Sequence, residues 1–435
     1  MAGPLAGRTR VLASCGRERM TMTRARLLAV LAIAAVLLVA CRPGDLDPTF
    51  GTNGVVSFDL GANGHFGQPA VLPDGRIVVP GTFQTSFDPP HITLRGLNAN
   101  GTPDATFGDK GVVDTFVGYA STAELVVRQP DDKLLVGGSV SFVAGMPPPT
   151  ELGLLRYLPN GTLDASFGNG GVVVSDLGSY DAIVAVVLQP DGKIVAVSDG
   201  SHGTLVARLN PDGSADTTFG WAGIVGLGGH FAAGGPAHVL VQPDGKLVVG
   251  ASGVRPNDPV GTAVFELVRL TPTGIRDASF GDNGVVTTDF GFGIDRESFL
   301  RGLVLRPGAK LLAAGATQGA DGRVLFALAR YNSDGTLDST FGSDGRVMHA
   351  MPSTNAFNVF AFATQRYGAV VLAGIDYPRA VLARFDPAGD FDTSFGSGGI
   401  ATSTAIQSVD VLTSQPNGAL LAGSRRGDQL ARFAG

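Results

Sequence analysis

One short stretch occurs seven times along this chain of 435 residues and constrains its fold more than any other feature. Each copy reads Asp, any residue, Ser or Thr, Phe and Gly, and a second Gly follows three residues after the first. The phenylalanines of successive copies lie 57, 60, 52, 61, 61 and 54 residues apart. A period of this size predicts a repeat architecture, in which each unit packs against its neighbours. The phenylalanines are Phe50, Phe107, Phe167, Phe219, Phe280, Phe341 and Phe395.

Four short strands are predicted in each unit, and the third unit gives the clearest pattern. Apolar runs occupy residues 171–174, 182–188, 194–197 and 205–209, and we call these strands a, b, c and d. Strands b and c flank Pro190-Asp191-Gly192, where Pro presets φ and Gly accepts a positive φ, as a tight turn requires. The fifth and sixth units have Pro307-Gly308 and Tyr367-Gly368 at this position, so their hairpins are less strongly predicted.

Seven units of four strands predict an all-β fold, a seven-bladed β-propeller of four-stranded blades. The chain ends in a strand d, residues 430–433, with no strand a after it. Near the start, residues 45–51 form a motif with no strand d before it. We therefore expect the N-terminal strand a to pair with the C-terminal blade, which closes the ring and removes free sheet edges.

Composition argues against several classes of protein. Charged residues make up 16% of the chain, 63 residues are Gly, and the formal net charge is -6, which is typical of a β-rich protein with many tight turns. A mildly acidic chain without a basic stripe is not expected to bind nucleic acid. The two cysteines, Cys15 and Cys41, both precede the repeats, so we expect no disulfide in the repeat domain.

Residues 1–40 are predicted to be a signal peptide. Arg24 and Arg26 precede a 14-residue apolar run, which is shorter than the roughly 20 residues that a membrane span needs. The run ends at Cys41 in a pattern that resembles the bacterial lipobox, in which the cysteine is lipidated after cleavage. Residues 41–44 would then form a lipid anchor and short linker, and residues 45–435 the seven-repeat propeller.

The same segment bears on the start of the chain and on its location. Met20 or Met22 suits a leader of ordinary length better than Met1. Arg42 follows Cys41, and by resemblance to lipoprotein sorting the absence of Asp there favours the outer membrane over the inner membrane. An ordinary cleaved signal, with release of the protein, is the alternative.

The repeat resembles a family of bacterial surface proteins. From an Asn-Pro-Asp-Gly-like turn through Leu-Asp-x-Ser/Thr-Phe-Gly to Gln-Pro-Asp-Gly-Lys, residues 45–433 are similar to the delta-60 repeat. The unit also resembles the NHL-type propeller blade, in which the strand before the Asp-Gly turn lines the channel. This resemblance implies that strand b is innermost and strand a outermost. The delta-60 family implies no established activity.

The repeated aspartates and phenylalanines are expected to be structural. Each Asp can accept hydrogen bonds from the turn that follows it, and each Phe can fill the gap between two blades. A calcium loop is the alternative, but its series of oxygen ligands is incomplete and no Glu closes it. The aspartates are Asp47, Asp104, Asp164, Asp216, Asp277, Asp338 and Asp392.

Strand direction alternates within a blade, so the two kinds of connection lie on opposite faces of the disc. The b–c turns and d–a motifs are near copies in all units and share what we call the uniform face. The a–b and c–d connections differ between units and share the variable face, where binding residues are expected. In one of its loops, Pro147-Pro148-Pro149 either stiffens the rim or is a spacer. The candidate loops are residues 84–91, 139–149, 227–236, 253–261 and 291–298.

One position early in strand b is expected to reach the channel mouth. It carries Glu124, Arg301 and Asp410 in three units, which could bind a polar ligand or simply hydrate the channel. The six histidines show no metal spacing, and His230 and His238 could approach each other but lack a third ligand. No catalytic residue, metal site or cofactor motif is predicted.

These features favour a non-catalytic, exported envelope lipoprotein whose propeller binds or scaffolds a protein or glycan partner. The alternatives are a propeller hydrolase or lyase with a site at the channel mouth, and a purely structural envelope protein. We expect membrane attachment through the lipid anchor only, a monomer, no cofactor and no nucleic acid partner.

Overall fold

The computed structural model describes residues 41–435, apart from 145–149, 176–181, 201–202, 229–230, 232–236, 292–295, 354–356 and 426. The predicted signal peptide and Pro147-Pro148-Pro149 lie outside the described residues. The described chain forms seven antiparallel sheets arranged as the blades of a propeller, each built from strands b, c and d of one unit and strand a of the next. This arrangement confirms the predicted all-β, seven-bladed fold.

The blades are numbered in chain order from the first strand b. Strand b is His65–Phe66 with Ala70–Val71 in blade 1, then Ala120–Arg128, Ala182–Leu188, His238–Val241, Ser298–Arg306, Phe357–Thr364 and Val411–Ser414. Strand c is Ile77–Phe83, Leu134–Ser141, Ile194–Asp199, Leu247–Val254, Lys310–Gln318, Val370–Asp376 and Leu420–Ser424. Strand d is His91–Leu97, Glu151–Tyr157, Leu205–Leu209, Ala263–Leu270, Val324–Tyr331, Arg379–Phe385 and Gln429–Phe433. Strand a is Val112–Thr115, Val172–Ser175, Ile224–Gly226, Val285–Thr288, Arg346–Ala350, Ile400–Ser403 and, in blade 7, Val55–Ser57.

Blade 7 combines both ends of the described chain. Val55–Ser57 pairs antiparallel with Gln429–Phe433, with Val56 opposite Leu430. The amide of Gly396 donates to the carbonyl oxygen of Pro43 at 2.6 Å, where the equivalent Gly168 donates to Asp212 of the next repeat at 2.8 Å. Pro43 therefore supplies the contact that a further repeat turn would make, and the predicted closure is confirmed.

The d–a motif is held by a hydrogen-bond network that recurs around the ring. In all seven copies one Asp oxygen accepts the amide of the Ser or Thr two residues later at 3.0–3.2 Å. The same oxygen accepts that residue's hydroxyl at 2.6–2.7 Å. The aspartates thus cap the turn, which is the geometry that a structural role requires.

A strand d arginine completes this network in six blades, and the sequence analysis did not identify it. Its Nε donates to the motif Asp at 2.6–2.9 Å, and its guanidinium lies 4.4–4.7 Å from the centre of the motif Phe ring. The sequence signal was available, because in five of these blades the Arg stands eight residues before the Asp, and in blade 7 Arg432 pairs with Asp47 from the other end of the chain. The arginines are Arg156, Arg208, Arg269, Arg330, Arg384 and Arg432.

The motif phenylalanines lie between neighbouring blades. All seven are at most 2% exposed. Phe107, for example, packs against Val78 and Leu94 of blade 1 and Val126 and Leu134 of blade 2. Each motif contributes one buried phenyl group, so apolar packing between neighbouring blades continues around the whole propeller.

The hairpins of the fifth and sixth units, which were less strongly predicted, form nevertheless. Single-turn 3-10 helices at Pro307–Ala309 and Arg366–Gly368 connect strands b and c in blades 5 and 6. Tyr367 adopts a φ of 60° and Gly368 one of 80°, so the left-handed backbone of the turn is kept although Tyr replaces a more permissive residue.

Candidate functional site

Strand b faces a central cavity of about 740 Å³. Residues of strand b from blades 2 to 7 line the cavity, with Asp199 and Arg425 from the variable-face ends of blades 3 and 7. Strand b is therefore innermost, and the cavity reaches the variable face. Its volume is in the range of small-molecule sites.

Glu124, Arg301 and Asp410 all line this cavity. Each of the three makes contacts with other groups, and no hydrogen bond or ion pair joins any two of them in the described structure. The early strand b position thus reaches the channel as expected, but the three side chains occupy separate environments.

Glu124 lies at the cavity mouth between two basic side chains. One carboxylate oxygen is 3.2 Å from Nε2 of His65, and the other accepts a hydrogen bond from Arg425 at 2.7 Å. Burial by itself would raise the pKa of Glu124, but His65 and Arg425 outweigh it and hold the pKa below its usual value. Glu124 is therefore an ionised, paired carboxylate.

Glu124 can meet Arg425 of blade 7 because blade 1, which lies between them, has an interrupted strand b. The backbone amide of Gln68 donates a hydrogen bond to the carbonyl oxygen of Glu124 in blade 2 at 2.8 Å. The side chain of Gln68 donates to the carbonyl oxygen of Leu412 in blade 7 at 2.7 Å. Only Gly suits position 67, because an added Cβ would lie 2.0 Å from the carbonyl oxygen of Glu124.

Arg301 enters the cavity from blade 5. Its Nε donates to the carbonyl oxygen of Val359 at 2.9 Å, and its guanidinium lies 5.3 Å from the centre of the Phe299 ring. Burial lowers the pKa of Arg301 from its usual value, and the guanidinium nevertheless remains charged because that usual value is so high.

His238 lies beside Arg301 and also lines the cavity. Burial and the charge of Arg301 lower the pKa of His238 to about 4, so the imidazole is neutral near neutral pH. Its Nε2 atom is buried and makes no hydrogen bond to the described part of the protein. His230, its predicted neighbour, lies outside the described residues.

Asp410 is bonded within its own blade. It accepts hydrogen bonds from Ser408 at 3.1 Å, from Ser424 at 3.3 Å and from the amide of Arg425 at 3.3 Å. Arg425 thus contacts both acidic residues of the predicted set. The sequence analysis missed Arg425, although an Arg-Arg pair in a short c–d turn on the variable face was a visible signal.

A second groove, of about 310 Å³, opens on the variable face between blades 1 and 2. Its walls are residues 88–91 and 116–121. Two backbone hydrogen bonds join the surrounding loops, from Ser121 to Pro90 at 2.9 Å and from Tyr119 to Ser141 at 2.6 Å. The groove is therefore built on connected loops, two of which belong to the predicted binding loops.

Exposed aromatic side chains line this groove at Phe116 and Tyr119, and two more, Phe87 and Phe142, are chain neighbours of Asp88 in its wall and of Ser141, which bonds to Tyr119. Phe87 is 95% exposed, Phe116 75%, Phe142 57% and Tyr119 49%, and we call these four residues the aromatic patch. The ring of His91 packs beneath Phe116, with ring centres 4.2 Å apart. Large apolar side chains clustered in this way commonly mark a contact surface.

Three further observations concern metal ligands, the free cysteine and membrane-spanning helices in the part of the chain that the structure describes. No group of three His, Cys, Asp or Glu there could hold a metal ion. Cys41, the predicted lipidation site, is a partly buried free thiol. Within residues 41–435, leaving out the undescribed gaps, no helix has the length and apolar character needed to cross a membrane.

Fold and cavity together define a β-propeller repeat protein. Six segments of the chain match the family model described as "Domain of unknown function (DUF5122) beta-propeller". The matched segments are residues 72–107, 129–167, 189–219, 242–280, 310–341 and 368–395. They fall in successive repeats and include six of the seven phenylalanines.

Several solved structures are similar to this chain at low identity. The WD40 β-propeller domain of Doa1 has 12% identity and a TM-score of 0.50, covering 91% of this chain and 98% of that one. Domains 1-2 of Drosophila Semaphorin 1a have 10% identity, a TM-score of 0.46 and 88% coverage of each chain. A PL25 ulvan lyase with a bound sugar has 11% identity and a TM-score of 0.47, covering 87% of this chain and 96% of its own. No curated protein matches the sequence.

Proposed function

We propose that this chain is a non-catalytic binding protein of the cell envelope that captures a partner protein through the aromatic patch. The observation that carries the proposal is the exposure of Phe116 and Tyr119 in one groove of the variable face, with Phe87 and Phe142 exposed on the adjoining loops. Aromatic side chains that are held on a rigid frame supply large contact area at small entropic cost. Phe has no polar group, so an apolar segment of a protein is favoured over a glycan as the occupant.

Export and lipidation are part of the proposal. The basic residues, the apolar run and Cys41 occur in the order of a lipoprotein signal, and the resemblance to delta-60 surface proteins agrees with that location. Labelling of cells with a palmitate analogue should mark the wild-type protein and leave Cys41→Ser unlabelled. Equal labelling of both proteins would contradict lipidation at Cys41.

Capture from envelope extracts tests the binding role. The chain from Arg42 to Gly435, which contains every strand of the ring, is used as bait beside a Phe116→Ser/Phe142→Ser variant. The matched control is Trp221→Ser, because Trp221 is 86% exposed but lies in a d–a motif on the uniform face. We expect one partner to be retained by wild type and control and lost by the double variant.

Equal retention of that partner by all three baits would contradict the proposal. Retention that survives protease digestion of the extract, but is lost on glycan cleavage, would identify the partner as a glycan. Thermal unfolding of each bait shows whether it is folded, so that loss of capture is not mistaken for loss of structure.

The rival function, a hydrolase or lyase at the channel mouth, is supported by the contact of His65 with Glu124 at 3.2 Å. A general base needs a pKa near the working pH. The pKa of Glu124 lies below its usual value because His65 and Arg425 stabilise the ionised form against the opposing effect of burial. We therefore favour binding over catalysis.

A further inference from the structure

Arg301 is a half-buried cation without an anionic partner in the described protein. Of its five N–H groups, the one on Nε donates to the carbonyl oxygen of Val359, and the other four have no hydrogen-bond acceptor among the described residues. An unpaired charge taken out of water is costly. A charged side chain that stays unpaired and faces a cavity marks a functional site more often than a charged side chain on the surface does.

The acidic residues of the cavity do not neutralise Arg301. Glu124 is bound by Arg425 and His65, and Asp410 by two serines and a backbone amide. Neither of them, nor Asp199, which also lines the cavity, makes an ion pair with Arg301 among the described residues. The positive charge is therefore available to a ligand that enters from the variable face.

His238 lies beside Arg301 and forms part of the cavity wall. Its Nε2 atom is buried rather than open to the cavity, and the ring is neutral near neutral pH. The charge that a ligand would meet on this side of the cavity therefore comes from Arg301.

Apolar side chains form much of the rest of the cavity wall. Val184, Val239, Leu303, Phe360 and Phe362 line the same cavity. Apolar walls with a few convergent polar groups are typical of small-molecule sites. A bound inorganic anion would leave the apolar walls in contact with water. An organic carboxylate would place its charge on Arg301 and its apolar part against these walls.

We propose that the central cavity is a binding site for a small organic carboxylate, with the carboxylate on Arg301 and the apolar body against the valines and phenylalanines. The site is separate from the aromatic patch, so it does not depend on the proposed capture of a protein. Either proposal can fail while the other stands, because their variants and readouts differ.

Ligand-observed NMR titration of the 42–435 chain tests this site with two probes of equal shape. Benzoate carries the charge, and benzamide replaces it with a neutral amide. A hydrogen bond to a charged group contributes about 1.5–3 kcal/mol, so we expect benzoate to bind roughly tenfold to a hundredfold more tightly. Undetectable benzoate binding, or equal affinity for both probes, would overturn the proposal without any variant.

Three variants assign the effect to Arg301. Arg301→Gln should lose the preference for benzoate, and Arg301→Lys should keep part of it because the charge remains. Arg323→Gln is the matched control, since Arg323 belongs to the same blade and its side chain is 66% exposed. An undiminished preference in folded Arg301→Gln would place the anion elsewhere and overturn the assignment.

Discussion

At the scale of single residues, the strand d arginine has as many contacts as the repeated Asp. Arg208 donates to Asp216 at 2.7 Å and to Thr218 at 3.4 Å, and it stacks on Phe219. Blade 1 has Gly96 at this position, where a Cβ would lie 2.7 Å from Phe107, and Arg76 reaches Asp104 at 3.1 Å instead. The network thus keeps a cation on the Asp even where the usual Arg is absent.

Removal of the buried Arg should destabilise the ring more than removal of the outer Lys on the same Asp. Arg208→Met should cost about 3–5 kcal/mol, because it breaks a buried ion pair. Lys193 also binds Asp216, at 2.9 Å, but its side chain is 27% exposed, so Lys193→Met should cost about 1 kcal/mol or less. Urea unfolding measures both, and equal losses would contradict the ranking.

The motif aspartates should make stability depend on pH. Burial opposes ionisation of Asp216, but hydrogen bonds from Thr218, Lys193 and Arg208 outweigh it and hold the pKa well below its usual 3.8. A carboxyl with a lowered pKa stabilises the fold above its unfolded-state pKa and loses that contribution as the pH falls towards its folded-state pKa.

Asp216→Asn should therefore be less stable than wild type near neutral pH, and the difference should shrink on acidification below about pH 4. Urea unfolding at a series of pH values measures this difference. A gap that stays constant down to the acid transition would show that ionisation of Asp216 does not stabilise the fold.

At the scale of elements, the d–a turn requires a left-handed backbone at both of its glycines. Gly220 has a φ of +54° and Gly223 one of +91°. The amide of Gly220 also donates to the carbonyl oxygen of Thr273 in the next repeat at 2.9 Å. The turn therefore links blades as well as strands.

Alanine at the two ends of this element should have different effects. At Gly220 an added Cβ would lie 2.3 Å from the carbonyl oxygen of Ile224, so Gly220→Ala should cost about 1–3 kcal/mol or more. At Gly226, in the following strand, the nearest atom is a Leu205 methyl at 3.6 Å, so Gly226→Ala should change stability by about 0.5 kcal/mol or less. Thermal unfolding compares them, and equal melting temperatures would contradict the steric argument.

Local pattern was enough to predict most elements, because strands and turns here are set by neighbouring residues. The resemblance to the NHL-type blade, in which strand b lines the channel, also placed Glu124, Arg301 and Asp410 at the cavity. The break in strand b at Gln68 was not predictable, since it depends on backbone contacts with blade 2. The pairing of Glu124 with Arg425 was missed for the same reason, because these residues are far apart in sequence.

At the scale of the whole molecule, the ring depends on the pairing of its two ends. Val55–Ser57 covers the edge of Gln429–Phe433, and the amide of Gly44 donates to the carbonyl oxygen of Ala434 at 2.7 Å. The ends are therefore adjacent, and the outer strand of blade 7 comes from a segment more than 350 residues away in sequence.

Deletion of residues 42–57 should lower the melting temperature and promote self-association, because it exposes the edge of a strand. Light scattering and thermal unfolding measure these effects. The matched control is a circular permutant with new ends between Val260 and Gly261 and a short linker between the old ends, which keeps every strand pair. A monomeric deletion variant as stable as this permutant would contradict the role of closure.

The hydrogen bond between Gly396 and Pro43 also bears on how the disc would sit on a membrane. Pro43 is held on the uniform face, and only two peptide steps separate it from Cys41, a reach of about 7 Å. A nine-residue strand such as Lys310–Gln318 spans about 30 Å, so a lipid on Cys41 could not extend around the rim. A lipid on Cys41 would hold the uniform face against the bilayer and leave the cavity mouth and the aromatic patch open to the surrounding medium.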